Sequence, residues 1–161
     1  MRACCFVIAL LFPVVSLAEE TAARKAYVKA MNLGRPGPAR DEAVWLLAIN
    51  EVGEFVRALP ELKPYAKLQL VAVVAQKIKD LDRGESDYPR TEWIDALIEH
   101  AEKAPDHAKN SYFVFMAGIA DSKVVALGLK YREQGVNDLV RRSAARMADL
   151  SRDALVQANS E

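Results

Sequence analysis

The chain has 161 residues, 22 basic and 22 acidic side chains and an apolar fraction of 52%, which bounds it to one modest globular domain. The balanced charge argues against binding to nucleic acid, which works through clustered Lys and Arg neutralising several phosphates. The average hides two unlike pieces, because 15 of the first 18 residues are apolar.

Residues 1–18 have the pattern of a secretory signal peptide, with a short basic start at Arg2, an apolar stretch over 6–15 and Ser16-Leu17-Ala18 as a small-x-small cleavage site. The apolar run over 6–18 counts 13 residues, short of the roughly 20 that a spanning helix needs. Cleavage after Ala18 is therefore expected, with no stable membrane insertion afterwards. The next residue is Glu19, not the cysteine that a lipoprotein requires. Removing the leader takes Cys4 and Cys5 with it and leaves 21 basic and 22 acidic groups. That excludes thiolate metal sites, thiol redox chemistry and a cysteine nucleophile. It also favours the bacterial periplasm over a setting where small domains are disulfide-rich.

Beyond residue 18 there are 23 Ala against two Thr, and apolar residues recur at spacings of three and four, an all-α pattern. A short helix is expected over about 21–33, stopped by Gly34 and followed by the linker Arg35-Pro36-Gly37-Pro38. Residues 19–40 thus form a helix and linker, and 41–158 a single helical domain. Asp41 caps a second helix whose inward stripe includes Val44, Leu47, Val52, Phe55, Val56 and Leu59, and Pro60 ends it. A third begins at Pro64. Its middle, 68–75, has Gln69 as the only polar residue, so a central position buried on several sides is expected.

Residues 82–89 read as an exposed polar loop. Thr91 is the expected cap of a fourth helix with Ile94, Leu97, Ile98 and Ala101 inward, closed by Pro105. Asp106 opens a fifth, which runs through an aromatic stretch from Tyr112 to Met116 where a strand is the alternative. Asp121-Ser122 starts a sixth with Val124, Leu127 and Tyr131 on one face, and Gly135 is expected as its left-handed cap. Asn137-Asp138 starts the last, to about residue 158, with Val140, Ala144, Met147 and Leu155 inward.

About seven helices on short connections predict antiparallel pairs, arranged as a HEAT-like α-solenoid or as an irregular helical bundle. Asp138 in a turn, the pair Val140-Arg141 and then the small residues Ala144 and Ala145 follow one another in the last pair. This stretch resembles the second half of a HEAT repeat, over about residues 124–150. The resemblance implies that Asp138 and Arg141 pin the turn and that the small residues let two helices pack closely.

The residues that could carry chemistry are few. His100 and His107 stand with Glu99, Glu102 and Asp106 around a proline break, without the spacing of a zinc peptidase. They are expected to be half-exposed at two helix ends, and no metal or cofactor is expected. Glu51 and Glu54 near Trp45 could serve a carboxylate-dependent cell-wall hydrolase, but a solvated surface pair is the simpler reading. No G-x-S-x-G and no glycine-rich phosphate cradle is present. Arg142, Arg146, Asp149, Arg152 and Asp153 follow one another along the last helix as a solvent face laced by weak ion pairs, with a strip for an acidic partner as the alternative.

The aromatic residues are more suggestive. Tyr88 and Trp93 stand at the exposed loop and the following helix start, and Tyr112 opens the aromatic run. Such side chains bury much area with few rotors and are enriched at interface hot spots. Tyr88, Trp93 and Tyr112, with His107 near them in the chain, are the candidate partner-binding residues. The competing reading packs Trp93 over Leu97 and Tyr112 into a core layer. The expected function is a non-enzymatic, exported, periplasmic module that binds a protein partner, such as an immunity or inhibitor protein against a secreted effector. An assembly adaptor or chaperone and the cell-wall hydrolase are the alternatives.

Overall fold

The computed structural model describes residues 22–32, 56–83 and 88–160. Among them the chain forms six α-helices, one 3-10 turn and no strand, so the all-α expectation holds and the strand alternative for 112–116 does not. The expected helix over 41–59 lies outside the described residues except at its end, which leaves six helices where about seven were anticipated. At that end Pro60 does not simply stop a helix. It sits inside the 3-10 turn Leu59–Glu61, at a first-turn position where its missing N–H costs nothing.

Helix α1, Ala22–Asn32, docks its last turn on that 3-10 turn. Asn32 accepts from the Lys63 amide at 2.8 Å and donates to the Glu61 carbonyl at 3.1 Å. Arg24 reaches the Arg57 carbonyl at 3.0 Å and the Glu61 carboxylate. Tyr27 is buried, and that burial pushes its hydroxyl pKa up.

Pro64 opens helix α2, Pro64–Asp82, with Lys63 extended ahead of it. Seven of its apolar side chains, among them Leu70, Val71, Val74 and Ile78, are buried, and it packs against the 3-10 turn and two later helices. This agrees with the central place expected from its composition.

Helix α3, Arg90–Lys103, starts one residue before the expected cap. Thr91 is exposed inside the helix, and Pro89 takes the N-cap position without a side-chain hydrogen bond. The start is fixed by Arg90, which grips Asp82 through two hydrogen bonds of 2.8 and 3.1 Å, Asp121 at 2.9 Å and the Ala120 carbonyl at 2.8 Å. These partners hold the guanidinium in its charged form. At the other end Pro105 prevents the helix from continuing, and the Ala104 carbonyl accepts from the buried ammonium of Lys109.

Helix α4, Asp106–Met116, buries Tyr112, Phe113 and Met116 and leaves Val114 outside. The chain then turns at Gly118, whose φ of +84° is the left-handed conformation glycine adopts freely. The Gly118 amide donates to Ser151 Oγ at 3.2 Å. Asp121 caps helix α5, Ser122–Gln134, by accepting from the Lys123 amide at 2.8 Å, and Asn137 caps helix α6, Asp138–Ala158, by accepting from Val140 at 3.0 Å.

Gly135 is not a left-handed cap. Its φ is −62° and ψ 134°, and its lack of a side chain matters for space: a Cβ there would stand 2.6 Å from the Tyr131 carbonyl oxygen and 3.0 Å from Arg141 Cγ. Arg141 closes the same turn, donating to the Gly135 carbonyl at 2.9 Å and pairing with Asp138. Helices α5 and α6 are the most closely packed pair, with Gly128 against Ala144 and Ala148.

Candidate functional site

Of the four residues singled out from the sequence, the structure brings two together, buries two and leaves Tyr88 partly covered. Trp93 is only 5% exposed and Tyr112 only 3%. Each therefore offers a partner almost no surface, and the core reading of both is the one the packing supports. Tyr88 does not stand free on a loop. Its ring lies 5.1 Å from that of Trp93, and its hydroxyl donates to Asp82, so burial and the neighbouring carboxylate push its pKa up. Trp93 Nε1 is buried with no hydrogen-bond partner among the described residues. His107 alone is exposed.

His100 is a correction in the opposite sense. It was expected at a half-exposed helix end, yet it is 9% exposed, and burial together with the Lys67 ammonium pushes its pKa below 6.5. It lines a groove of about 420 Å³ where the 3-10 turn, α2, α3 and α4 meet. Pro60, Pro64 and Pro105 form apolar walls, and Lys67 and Tyr112 line it with His100. Glu99 and Lys103 stand at its edge as an ion pair, which holds the Glu99 carboxyl below its usual range. Burial pushes the Tyr112 hydroxyl up.

A second groove, of about 510 Å³, runs between α4 and α6. Val114, Leu139 and Leu150 line it and are 54%, 55% and 42% exposed, with Arg142 and Arg146 between them. Neither arginine meets a carboxylate among the described residues. Arg142 donates only to the Asp138 carbonyl at 3.3 Å, so the expected lacing of this face by ion pairs reduces to Arg152 with Asp149 at 3.8 Å.

No family model matches the chain, no curated protein matches it, and no solved structure matches it. Glu51, Glu54 and Trp45 lie outside the described residues. Among those residues no three His, Cys, Asp or Glu side chains gather as metal ligands, and no helix is long and apolar enough to cross a membrane.

Sequence reading missed the groove between α4 and α6 because Val114 belongs to an aromatic run that reads as core. The signal was present nonetheless. Leu139, Arg142, Arg146 and Leu150 are separated by three, four and four residues, which is one face of a helix distinct from the inward stripe of Val140, Ala144 and Met147.

Proposed function

We propose that the chain is an exported, periplasmic helical module that acts by binding a protein partner, with the groove between α4 and α6 as its docking surface. The observation that carries this is the group of exposed Val114, Leu139 and Leu150 around two arginines that meet no carboxylate among the described residues. Apolar side chains gathered in a concave strip mark interaction sites more than singly scattered ones do. The two positive charges select a partner that presents an amphipathic segment with acidic flanks.

The leader pattern of residues 1–18 supports export. Small size and the want of a recognisable catalytic set favour an immunity or inhibitor role against a secreted effector. The turn closed by Asp138 and Arg141, with Gly128 and Ala144 in close contact, supports a HEAT-like stacking of helix pairs.

The test is affinity capture from the native extract with the wild-type chain and with a Leu139→Glu/Leu150→Glu variant of equal helicity. A stoichiometric partner held by the wild type and lost by the variant is expected, since burying a leucine contributes about 1.5–3 kcal/mol. Equal retention by both chains refutes the docking surface. Intact mass of the exported chain reads cleavage after Ala18 directly.

A further inference from the structure

The groove around His100 has no part in that reading, and its polar side chains are left over by the fold. Lys67 Nζ, the imidazole of His100 and the Tyr112 hydroxyl form no hydrogen bond or ion pair with the described residues, although His100 and Tyr112 are more than nine-tenths buried. Their polar atoms are not among the described side-chain atoms shut off from solvent without a partner, so they stay open to the recess although the rings behind them are covered. Three hydrogen-bonding groups from two helices and a third, all opening on one apolar recess, are what a small ligand with concentrated negative charge requires.

We propose that this groove binds a small organic acid, with Lys67, His100 and Tyr112 holding one carboxylate and Pro60, Pro64 and Pro105 covering an apolar body. The charge balance favours a monoanion. Lys67 and Lys103 bring two positive charges and Glu99 one negative, so a single ligand charge neutralises the site and a second is repelled. Lys103 is engaged by Glu99, which leaves Lys67, among the described residues lining the groove, as the cation available to the ligand. Tyr112 donates its hydroxyl proton, which burial holds on the oxygen. His100 contributes an N–H as the neutral ring and a full charge once protonated, so a bound carboxylate raises its pKa from the lowered value set by burial and Lys67.

Benzoate titrated into the full chain, followed by nuclear magnetic resonance of the histidine rings, tests this. Saturable shifts at His100, an upward move of its titration midpoint and no change at the exposed His107 are expected. Lys67→Met and Tyr112→Phe, both of which keep the apolar stem or ring, weaken binding about tenfold and several-fold respectively. Benzamide, of the same shape without charge, binds at least about tenfold more weakly than benzoate. Shifts that grow without saturation, equal shifts at His107, wild-type affinity in Lys67→Met, or equal binding of benzamide each overturn the proposal. Inorganic phosphate binding more tightly than benzoate at a pH where it is a dianion overturns the monoanion assignment.

Discussion

Replacing Gly128 by alanine puts the contact between α5 and α6 to a quantitative test. A Cβ at that position would lie 2.7 Å from the Ala144 carbonyl oxygen, 2.8 Å from Ala148 Cβ and 2.9 Å from the Ala148 nitrogen. All three are backbone atoms or a first side-chain carbon of the facing helix, so none can swing aside. To reach ordinary contact the helices must part by about 0.7 Å. That separation loosens Ala144, Met147 and Ala148, which are fully buried. Overpacking costs about 1–3 kcal/mol, and three contacts below 3.0 Å place this site in the upper half, about 2–3 kcal/mol, while alanine returns about 1 kcal/mol of helix propensity. A net loss of about 1–2 kcal/mol is expected, with Tm falling by about 2–4 °C per kcal/mol. Urea unfolding followed by far-ultraviolet circular dichroism measures it. An unchanged or raised midpoint would refute the close packing, because that is how a solvent-facing helical glycine responds.

Gly118→Ala is destabilising for a different reason: the nearest foreign atom to its Cβ is Lys79 Cδ at 3.9 Å, but φ is +84°, so the loss is about 1–2 kcal/mol of backbone strain. Gly118→Asn should lose less, and equal stability of the alanine variant and the wild type in the same urea assay would contradict the assignment. Arg90→Met leaves the carboxylates of Asp82 and Asp121 facing each other without their shared cation, and a loss of about 1.5–3 kcal/mol is expected. Wild-type stability of that variant would mean that the network contributes nothing. His100→Gln changes the pH dependence. Because the folded-state pKa of His100 lies below 6.5, the unfolded chain takes up the proton first as pH falls, so stability declines from about pH 6.5 down to the lowered value and then levels off. The variant should lack that part of the slope, and an identical slope in both chains excludes His100 as its source.

The elements that sequence reading placed well are those whose boundaries are chemical. Pro64 at a first turn, Asp121 and Asn137 as caps, and Pro105 as a break act through backbone groups within a few residues, so their outcome is local. Thr91 failed as a cap because a distant choice overrode a local one: Arg90 is gripped by Asp82 and Asp121, the latter 31 residues away, and that grip carries the helix start two residues earlier. Gly135 was read for its freedom of φ when what the site requires is the space beside Arg141 and Tyr131.

For the candidate site, the aromatic residues of α3 and α4 were legible as large and apolar but not as covered, because what covers them comes from elsewhere in the chain. His100 illustrates this most plainly. Its pKa is lowered by burial and by Lys67, and it shares its groove with Pro60 and Pro64, none of which is near it in sequence. The strip of Leu139, Arg142, Arg146 and Leu150 was visible only as charge, since its apolar members acquire meaning from Val114 on a different helix.

The central position of α2 has a consequence for how the protein is made. Among the described residues its apolar side chains pack mainly against α3 and α4, which are synthesised after it. A nascent chain that has completed α2 therefore lacks these covers for its apolar face until residue 116 is available. Truncation between α2 and the end of α4 should yield insoluble product, whereas removal of residues after Leu155, of which 156–160 are exposed, should leave solubility intact.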